Sequence, residues 1–186
     1  MKLILASNSP RRKELLSKLP YPFKIVPSGV EEKSSATEPT VLVQELATLK
    51  AKDVYATHPE TIVLGCDTVV DFNGEVMGKP KDHQDARRML HALSGNTHCV
   101  HTGVCILSPV GNWLFCDTTE VTFRNLSDKE IDDYIANGEA DGKAGAYGIQ
   151  DDSHFAESFK GDFDNVVGLP VYRVKEILEK IYNRGK

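Results

Sequence analysis

The apolar run over residues 61–70 is the feature that most constrains how this chain can fold. Only Gly65 and Asp67 interrupt it, and such a run is typical of a central strand covered on both faces. An unpaired carboxylate in such a strand costs several kcal/mol. Asp67 is therefore expected at a strand end, bound to a metal ion, or facing a cleft. It is the candidate general base, and a carboxylate satisfied by neighbouring backbone amides is the alternative.

Strand and helix patterns alternate from one end of the chain to the other. Interleaved elements of this kind predict an α/β fold with a mixed parallel and antiparallel sheet flanked by helices. The predicted strands are 2–6, 23–26, 61–70, 99–107 and 113–124, and the predicted helices are 11–19, 40–55, 83–93, 127–138 and 170–182.

Short sequence patterns predict two turns and the buried face of one helix. Asn73-Gly74, between apolar runs, is a strong signal for a hairpin turn. A second hairpin is predicted around Gly161. In the helix over 40–55, helical spacing places Leu42, Leu46 and Leu49 on the buried face.

Length and charge limit the class of protein. The 186 residues suffice for one domain over 1–186 with its own core. The N-terminal apolar stretch ends before Arg11, so neither a signal peptide nor a membrane span is expected, and the default location is the cytoplasm. A formal net charge of -5 argues against a general nucleic-acid binder. An anionic ligand must therefore be met by local clusters of Arg and Lys.

The cysteine and histidine patterns do not favour a zinc or redox centre. The cysteines lie in apolar stretches without a C-x-x-C pair, which favours reduced core residues: Cys66, Cys99, Cys105 and Cys116. His98 and His101 lie three residues apart, and residues with this spacing on a strand face opposite sides. A metal ion shared by the two histidines is therefore disfavoured.

Residues 7–12, Ser-Asn-Ser-Pro-Arg-Arg, lie where a strand leads into a helix. Ser9 suits the N-cap, and Pro10 suits the first turn. The amides of a helix N-terminus favour an anion, and Arg11 and Arg12 add two positive charges, so this segment is a candidate phosphate clamp. An ordinary capped helix with exposed arginines explains the same residues equally well.

Single lysines and an acidic pair are further candidates. Lys50, Lys79 and Lys143 are each long enough to reach a triphosphate, and each is also explained as a solvated surface residue. The pair Glu31-Glu32 supplies hard oxygen ligands that, with Asp67 and substrate phosphates, would complete a Mg²⁺ site. A charged loop is the simpler interpretation of the pair.

Taken together, these segments resemble the Maf family of septum formation inhibitor proteins, which are house-cleaning nucleotide pyrophosphatases. The match covers nearly the whole chain in order, which makes it specific. The matching segments are SNSPRRKELL at 7–16, VEE at 30–32, LAxxKA at 46–51, GCDTVV at 65–70, GKP at 78–80, LSG at 93–95, KAGAYGIQ at 143–150 and VGLP at 167–170.

The resemblance implies hydrolysis between the α and β phosphates of a nucleoside triphosphate, with a divalent metal cation, Mg²⁺ or Mn²⁺. It also implies a two-lobed Maf/ITPase-like fold with a central cleft, and a homodimer. By matching positions, Asp67 is the proton acceptor and, with Glu32, a metal ligand. The implied substrate-binding residues are Ser9, Arg11, Arg12, Lys50, Thr68, Lys79 and Gln150. The alternative functions are a nucleotide-binding regulator of cell division without turnover, a pyrophosphatase of the 7-methyl-GTP type, and a phosphatase that releases the γ-phosphate.

The resemblance favours pyrimidine substrates. Arg11, Thr68 and Gln150 match members that act on dTTP and UTP, whereas members that prefer 7-methyl-GTP carry Trp and Gln at the first two positions. The Gln150 amide offers a donor and an acceptor, which suits a uracil or thymine edge. Two departures from the family pattern are Cys66, where Ala is more usual, and Asp151-Asp152, where relatives often have a Gly-rich loop. The second departure is expected to alter the pocket rim or the metal affinity.

Overall fold

The computed structural model of the protein describes residues 1–151 and 153–184. Asp152, half of the Asp151-Asp152 departure, lies outside the described residues, as do residues 185 and 186. The strands are β1 (Leu3–Leu5), β2 (Phe23–Ile25), β3 (Ile62–Phe72), β4 (Glu75–Met77), β5 (Thr97–Ser108), β6 (Gly111–Phe123) and β7 (Ala156–Lys160). The helices are α1 (Pro10–Leu16), α2 (Pro39–Tyr55), α3 (His83–Leu93), α4 (Asp128–Ala136), α5 (Phe163–Val167) and α6 (Val171–Arg184), with a 3₁₀ turn at Ala144–Ala146.

Within the described residues, seven strands form one sheet in the order β2-β1-β3-β5-β6-β7, with β4 paired to β3. Strand β1 is parallel to β2 and to β3. The β3–β4 and β6–β7 pairs are antiparallel. The predicted α/β class, with a mixed sheet flanked by helices, is confirmed. Among the same residues, no helix is both long and apolar enough to cross a membrane.

Several local predictions are also confirmed. Helix α3 has the predicted bounds. The turn between β3 and β4 has positive φ angles at Asn73 (51°) and Gly74 (83°), as a tight hairpin of this type requires. The cysteine prediction is confirmed only in part: all four are free thiols, but Cys66 and Cys105 are buried whereas Cys99 and Cys116 are only partly buried.

Helix α1 is shorter than predicted, because it ends at Leu16 rather than at residue 19. The N–H groups of Lys18 and Leu19 donate to carbonyls three residues back, which tightens the last turn. Pro20 follows, and its ring is incompatible with continuation of the helix. Leu19 is nevertheless buried with Leu15 and Leu16. The spacing of these three leucines is therefore the same as on the buried face of a longer helix.

The hairpin predicted around Gly161 is wrong. Strand β7 ends at Lys160, and the chain turns through Gly161, whose φ is 130°, into helix α5. The Thr119 hydroxyl donates to the Asp162 carbonyl over 2.9 Å. A Cβ at Gly161 would lie 2.8 Å from that hydroxyl oxygen, so close approach to β6, rather than strand reversal, requires the glycine.

The chain forms two compact units. The first unit contains residues 1–67, residues 102–117 and the described residues from Gly168 onwards. The second unit contains residues 68–101 and 118–167. The expectation of a single domain over 1–186 stays a prediction.

In the first unit, helix α2 lies unusually close to strands β3 and β5. A Cβ at Gly65 would clash with the Ala47 carbonyl oxygen and lie 2.8 Å from the Ala51 backbone nitrogen. A Cβ at Gly103 would clash with the Val43 carbonyl in the same way. The two glycines therefore let the helix backbone rest directly on the sheet.

This close approach corrects the predicted face of helix α2. Leu46 is buried, but Leu42 and Leu49 are only partly buried. The small residues Ala47 and Ala51 face the sheet and are fully buried. Bulky leucines would hold the helix further from strands that contain glycine, so small residues occupy the innermost positions.

The core of the second unit contains an aromatic cluster around His98. The His98 ring makes edge contacts with Phe123 and Tyr147, with ring centroids 5.0 Å and 5.3 Å apart. Its Nε2 lies 2.6 Å from the Tyr147 hydroxyl. Burial lowers the pKa of His98 from 6.5 to about 4, so the ring is neutral at pH 7.

We expect Gly65→Ala to destabilise the protein by about 2–3 kcal/mol, because the new methyl group meets helix backbone that has no rotamer with which to yield. Urea denaturation monitored by circular dichroism measures the change. Gly29→Ala is the matched control, because a Cβ there has no described atom within 4 Å. That control should change the free energy of unfolding by less than about 0.5 kcal/mol. Equal stability of the two variants would contradict the close approach.

We expect stability to fall as the pH is lowered from about 6.5 to about 4, because the unfolded chain then protonates His98 while the folded protein does not. The contribution is on the order of 3 kcal/mol over this range. His98→Gln should flatten this part of the stability profile. His83→Gln, at a side chain that is 67% exposed, should leave the slope unchanged. An unchanged slope in His98→Gln would show that other groups cause the acid sensitivity.

Candidate active site

Asp67 is buried on strand β3, with a residue exposure of 9%. Residues 65 and 67 lie on the same face of the strand, because side chains alternate along it. The face at Gly65 is the one that contacts helix α2, and Lys50 lies on that helix beside Ala51. The Lys50 Nζ donates to Asp67 Oδ1 over 2.7 Å. A side-chain ammonium therefore satisfies the carboxylate that interrupts the apolar run.

Lys50 also contacts Glu32, so one ammonium bridges two carboxylates. Its Nζ lies 3.1 Å from Glu32 Oε1 and 2.7 Å from Asp67 Oδ1. The Lys50 side chain is 11% exposed, whereas the Glu32 side chain is 53% exposed. The bridge thus runs from a buried carboxylate to one that faces solvent.

The loop that carries Glu32 is fastened to helix α2 on both sides of that residue. Before Glu32, Asp53 accepts hydrogen bonds from the Ser28 hydroxyl (2.7 Å) and from the Gly29 N–H (2.9 Å). After it, the Ser34 hydroxyl donates to Glu45 over 2.5 Å. Sequence reasoning missed Asp53 and Glu45, since their only signal is helical spacing on an exposed face of α2.

The segment before helix α1 is organised around Arg12. The Ser9 hydroxyl caps the helix by accepting from the Arg12 N–H over 3.4 Å. The Arg12 guanidinium donates from Nε to the Gly168 carbonyl over 2.8 Å and contacts Ser7 Oγ at 3.4 Å. Arg11 is half-buried on the same helix. The segment is therefore a capped helix, and its Arg12 side chain is also held in one direction.

Cys66, next to Asp67, is fully buried and remains a thiol at neutral pH. Burial raises the pKa of its thiol to about 11, although the positive charges of Arg12 and Lys50 lower it in part. A thiol in this state is a poor nucleophile. Cys66 is therefore a buried core thiol, as its apolar surroundings in the sequence predict.

The remaining candidates belong to the second unit. Thr68 follows Asp67 on β3 and is half-buried, whereas Lys79 and Gln150 are exposed. The Gly145 N–H donates to the Gly78 carbonyl over 3.1 Å, which joins the segment before Gln150 to the segment that carries Lys79. The structure thus brings the GKP and KAGAYGIQ motifs together.

Lys143 and the two histidines each contact another side chain of the second unit. The Lys143 Nζ donates to Asp151 Oδ2 over 2.6 Å. His98 contacts Tyr147, and His101 Nδ1 lies 2.8 Å from the Thr118 hydroxyl. In residues 1–151 and 153–184, no group of three or more His, Cys, Asp or Glu side chains is arranged to hold a metal ion. The expectation that the two histidines do not share a metal ion stays a prediction.

Curated relatives cover almost the whole chain. A protein from Bacillus cytotoxicus is 48% identical over 181 residues, which span 96% of this chain and 95% of the relative. Relatives from a Geobacillus species and from Deinococcus radiodurans are 49% and 44% identical, and cover 94% and 95% of this chain and 96% and 91% of their own lengths. All three relatives are named dTTP/UTP pyrophosphatase.

Two further comparisons concern structure and family. The solved structure of the Staphylococcus aureus Ham1 protein aligns with 66% of this chain and 72% of its own, at 15% identity and a TM-score of 0.48, a likeness too low to support conclusions. The family model described as Maf-like protein matches residues 2–181. With relatives at this identity and a family match over nearly its full length, the chain belongs to the family of Maf-like proteins.

Proposed function

We propose that the chain hydrolyses dTTP and UTP to the monophosphate and pyrophosphate. The observation that carries the proposal is the buried Asp67 carboxylate, which is held by Lys50 beside Glu32. The names of the relatives, at 44–49% identity over most of this chain, support the substrate class. The alternatives differ in outcome: a γ-phosphatase releases orthophosphate, a 7-methyl-GTP-type enzyme acts on another substrate, and a regulator forms no product.

Asp67 is the proposed general base. The Lys50 ammonium holds Oδ1, and Oδ2 is the atom that would take the proton from water. The hydroxide so formed attacks the α-phosphorus, the bond from the α-phosphorus to the bridging oxygen breaks, and pyrophosphate leaves. Lys50 keeps the carboxylate oriented, which a base on a long apolar strand requires.

Glu32 and Asp67 are suited to hold a divalent cation. Both carboxylates are hard oxygen ligands, and the ammonium that bridges them shows that a positive charge between them is stabilised. Mg²⁺ in proteins is usually coordinated by one or two carboxylates together with phosphate oxygens of the substrate. When bound, such an ion would offset the charge on the phosphates and promote ionisation of water.

Lys50, besides orienting Asp67, and the other family positions supply the proposed contacts to substrate. Ser9, Arg11 and Arg12 precede or lie in helix α1, and Arg12 is oriented by its bond to the Gly168 carbonyl. Lys79 is an exposed cation on the segment joined to the KAGAYGIQ loop. Thr68 and Gln150 are the proposed base-recognition residues, with the Gln150 amide as donor and acceptor. The homodimer and the cytoplasmic location stay predictions.

We expect Asp67→Asn to lower the rate of dTTP hydrolysis roughly 10²–10⁴-fold, because an amide is too weak a base to deprotonate water. The purified protein is incubated with Mg²⁺ and, separately, with dTTP, UTP, CTP, GTP and 7-methyl-GTP, and monophosphate, pyrophosphate and orthophosphate are quantified. Asp133→Asn, at a carboxylate on the exposed face of α4, is the matched control and should retain full activity.

Each product pattern has a distinct meaning. Pyrophosphate from dTTP and UTP, lost only in Asp67→Asn, is the expected result. Orthophosphate as the first product would instead identify a γ-phosphatase. Turnover of 7-methyl-GTP alone would reject pyrimidine specificity, and nucleotide binding without any product would favour the regulator.

We expect Glu32→Gln to raise the Mg²⁺ concentration needed for half-maximal activity roughly tenfold, because a neutral amide is a weaker ligand than a carboxylate. The rate at saturating Mg²⁺ should change less than this. A Mg²⁺ titration of initial rates measures both quantities. Glu31→Gln is the matched control, because Glu31 pairs with Lys33 at the surface rather than with Lys50. Identical Mg²⁺ dependence in the two variants would exclude Glu32 as a ligand.

A further inference from the structure

The segment from Lys143 to Asp151 carries Gln150, and it departs from the family pattern at Asp151. Gln150 is exposed, so tertiary packing does not fix its side chain. An exposed amide selects one base edge only if its backbone is held in one position. The contacts that hold this segment therefore bear on base selectivity.

Asp151 receives two hydrogen bonds on a single oxygen. Its Oδ2 accepts from the Tyr134 hydroxyl over 2.5 Å and from Lys143 Nζ over 2.6 Å. The side chains of Lys143 and Asp151 are each 14% exposed, so the ion pair is largely shielded from water. Lys143 and Asp151 lie at the two ends of the segment, and their bond closes it into a loop.

Tyr134 extends this clamp to the backbone beside Gln150. Its hydroxyl donates to Asp151 and accepts from the Gly148 N–H over 3.0 Å. Burial, and then the bond to Asp151, raise the pKa of Tyr134, so the hydroxyl remains a donor at neutral pH. Asp151 thereby orients the hydroxyl so that its oxygen faces the amide of Gly148, two residues before Gln150.

The Asp151 carboxylate lies directly against the backbone of Gly148. A Cβ at residue 148 would lie 2.6 Å and 2.7 Å from the two carboxylate oxygens of Asp151. Farther back in the loop, Gly145 and Ala146 have positive φ angles of 67° and 63°, and Gly145 is tied to Gly78. A left-handed alanine persists only where surrounding contacts fix the chain.

We propose that Asp151 is a positioning residue for base selectivity, which acts through Lys143, Tyr134 and the Gly148 amide to hold the Gln150 amide against the base. This proposal rests on the proposed function, because it concerns which nucleotide the site prefers. Asp151 is not a catalytic residue in this scheme. Its removal should change selectivity among bases and the KM for dTTP more than kcat.

The test compares Asp151→Ala and Tyr134→Phe with the wild type. For each protein, kcat and KM are measured for dTTP and dCTP, and amide hydrogen exchange is measured over residues 143–151. Tyr134→Phe keeps the ring and the Lys143–Asp151 pair, so it remains informative if Asp151→Ala, which leaves Lys143 without its carboxylate, folds poorly. Asp141→Ala is the matched control, because that carboxylate is exposed just before the loop.

We expect Asp151→Ala to lower the ratio of kcat/KM for dTTP over dCTP about tenfold, through KM, and to speed exchange at Gly148. Tyr134→Phe should shift both in the same direction, and Asp141→Ala should shift neither. In a Gln150→Ala background, Asp151→Ala should leave the ratio unchanged, because the amide it positions is gone. A merely structural role would lower kcat/KM equally for both nucleotides, and that result overturns the proposal.

Failure of the proposed function is distinguishable from failure of this proposal. If the wild type releases no pyrophosphate, the proposed function fails, and selectivity is then measured from the dissociation constants of dTTP and dCTP by calorimetry. A changed ratio of these constants in Asp151→Ala, with faster exchange at Gly148, would still support Asp151 as the positioning residue. An unchanged ratio, or unchanged exchange, overturns it under either readout.

Discussion

The close approach of helix α2 to strand β3 at Gly65 is the constraint on which the candidate site depends. The missing side chain at Gly65 lets the backbone at Ala47 and Ala51 rest on the strand. Because Asp67 lies on the same face of β3 and Lys50 precedes Ala51, the same crossing sets the 2.7 Å bond between them. A change in the packing of α2 on Gly65 would therefore also move Lys50 away from the buried Asp67 carboxylate.

Features carried by a few adjacent residues could be predicted from the sequence. The buried strand around Asp67, the Asn73-Gly74 turn and helix α3 follow from local periodicity and turn chemistry. The singular position of Asp67 was predictable as well, because a carboxylate in an apolar run must have a partner. The partner was not predictable, since Lys50 lies 17 residues away and only the angle and distance of the helix crossing select it.

Two of the errors, the buried face of α2 and the hairpin at Gly161, share one physical cause. Local patterns record residue size and polarity but not how closely two segments approach each other. Leu42 and Leu49 have helical spacing, yet small residues occupy the innermost face of α2 because the sheet presents glycines there. Gly161 resembles a hairpin glycine, yet it is required by the proximity of Thr119. The partners of Asp151 show the same limit, because its bonds to Tyr134 and Lys143 span 17 and 8 residues and no local pattern records them.

A chain with a net charge of -5 can bind a polyanion only if its cations are placed individually. Lys50 bridges two carboxylates and Lys143 is paired with Asp151, so the positive field of each is largely compensated. Arg12 donates from its Nε to the Gly168 carbonyl, which fixes the direction of its guanidinium. The paired lysines therefore contribute chiefly by position, because Lys50 fixes the Asp67 carboxylate and Lys143 fixes Asp151 at the end of its loop.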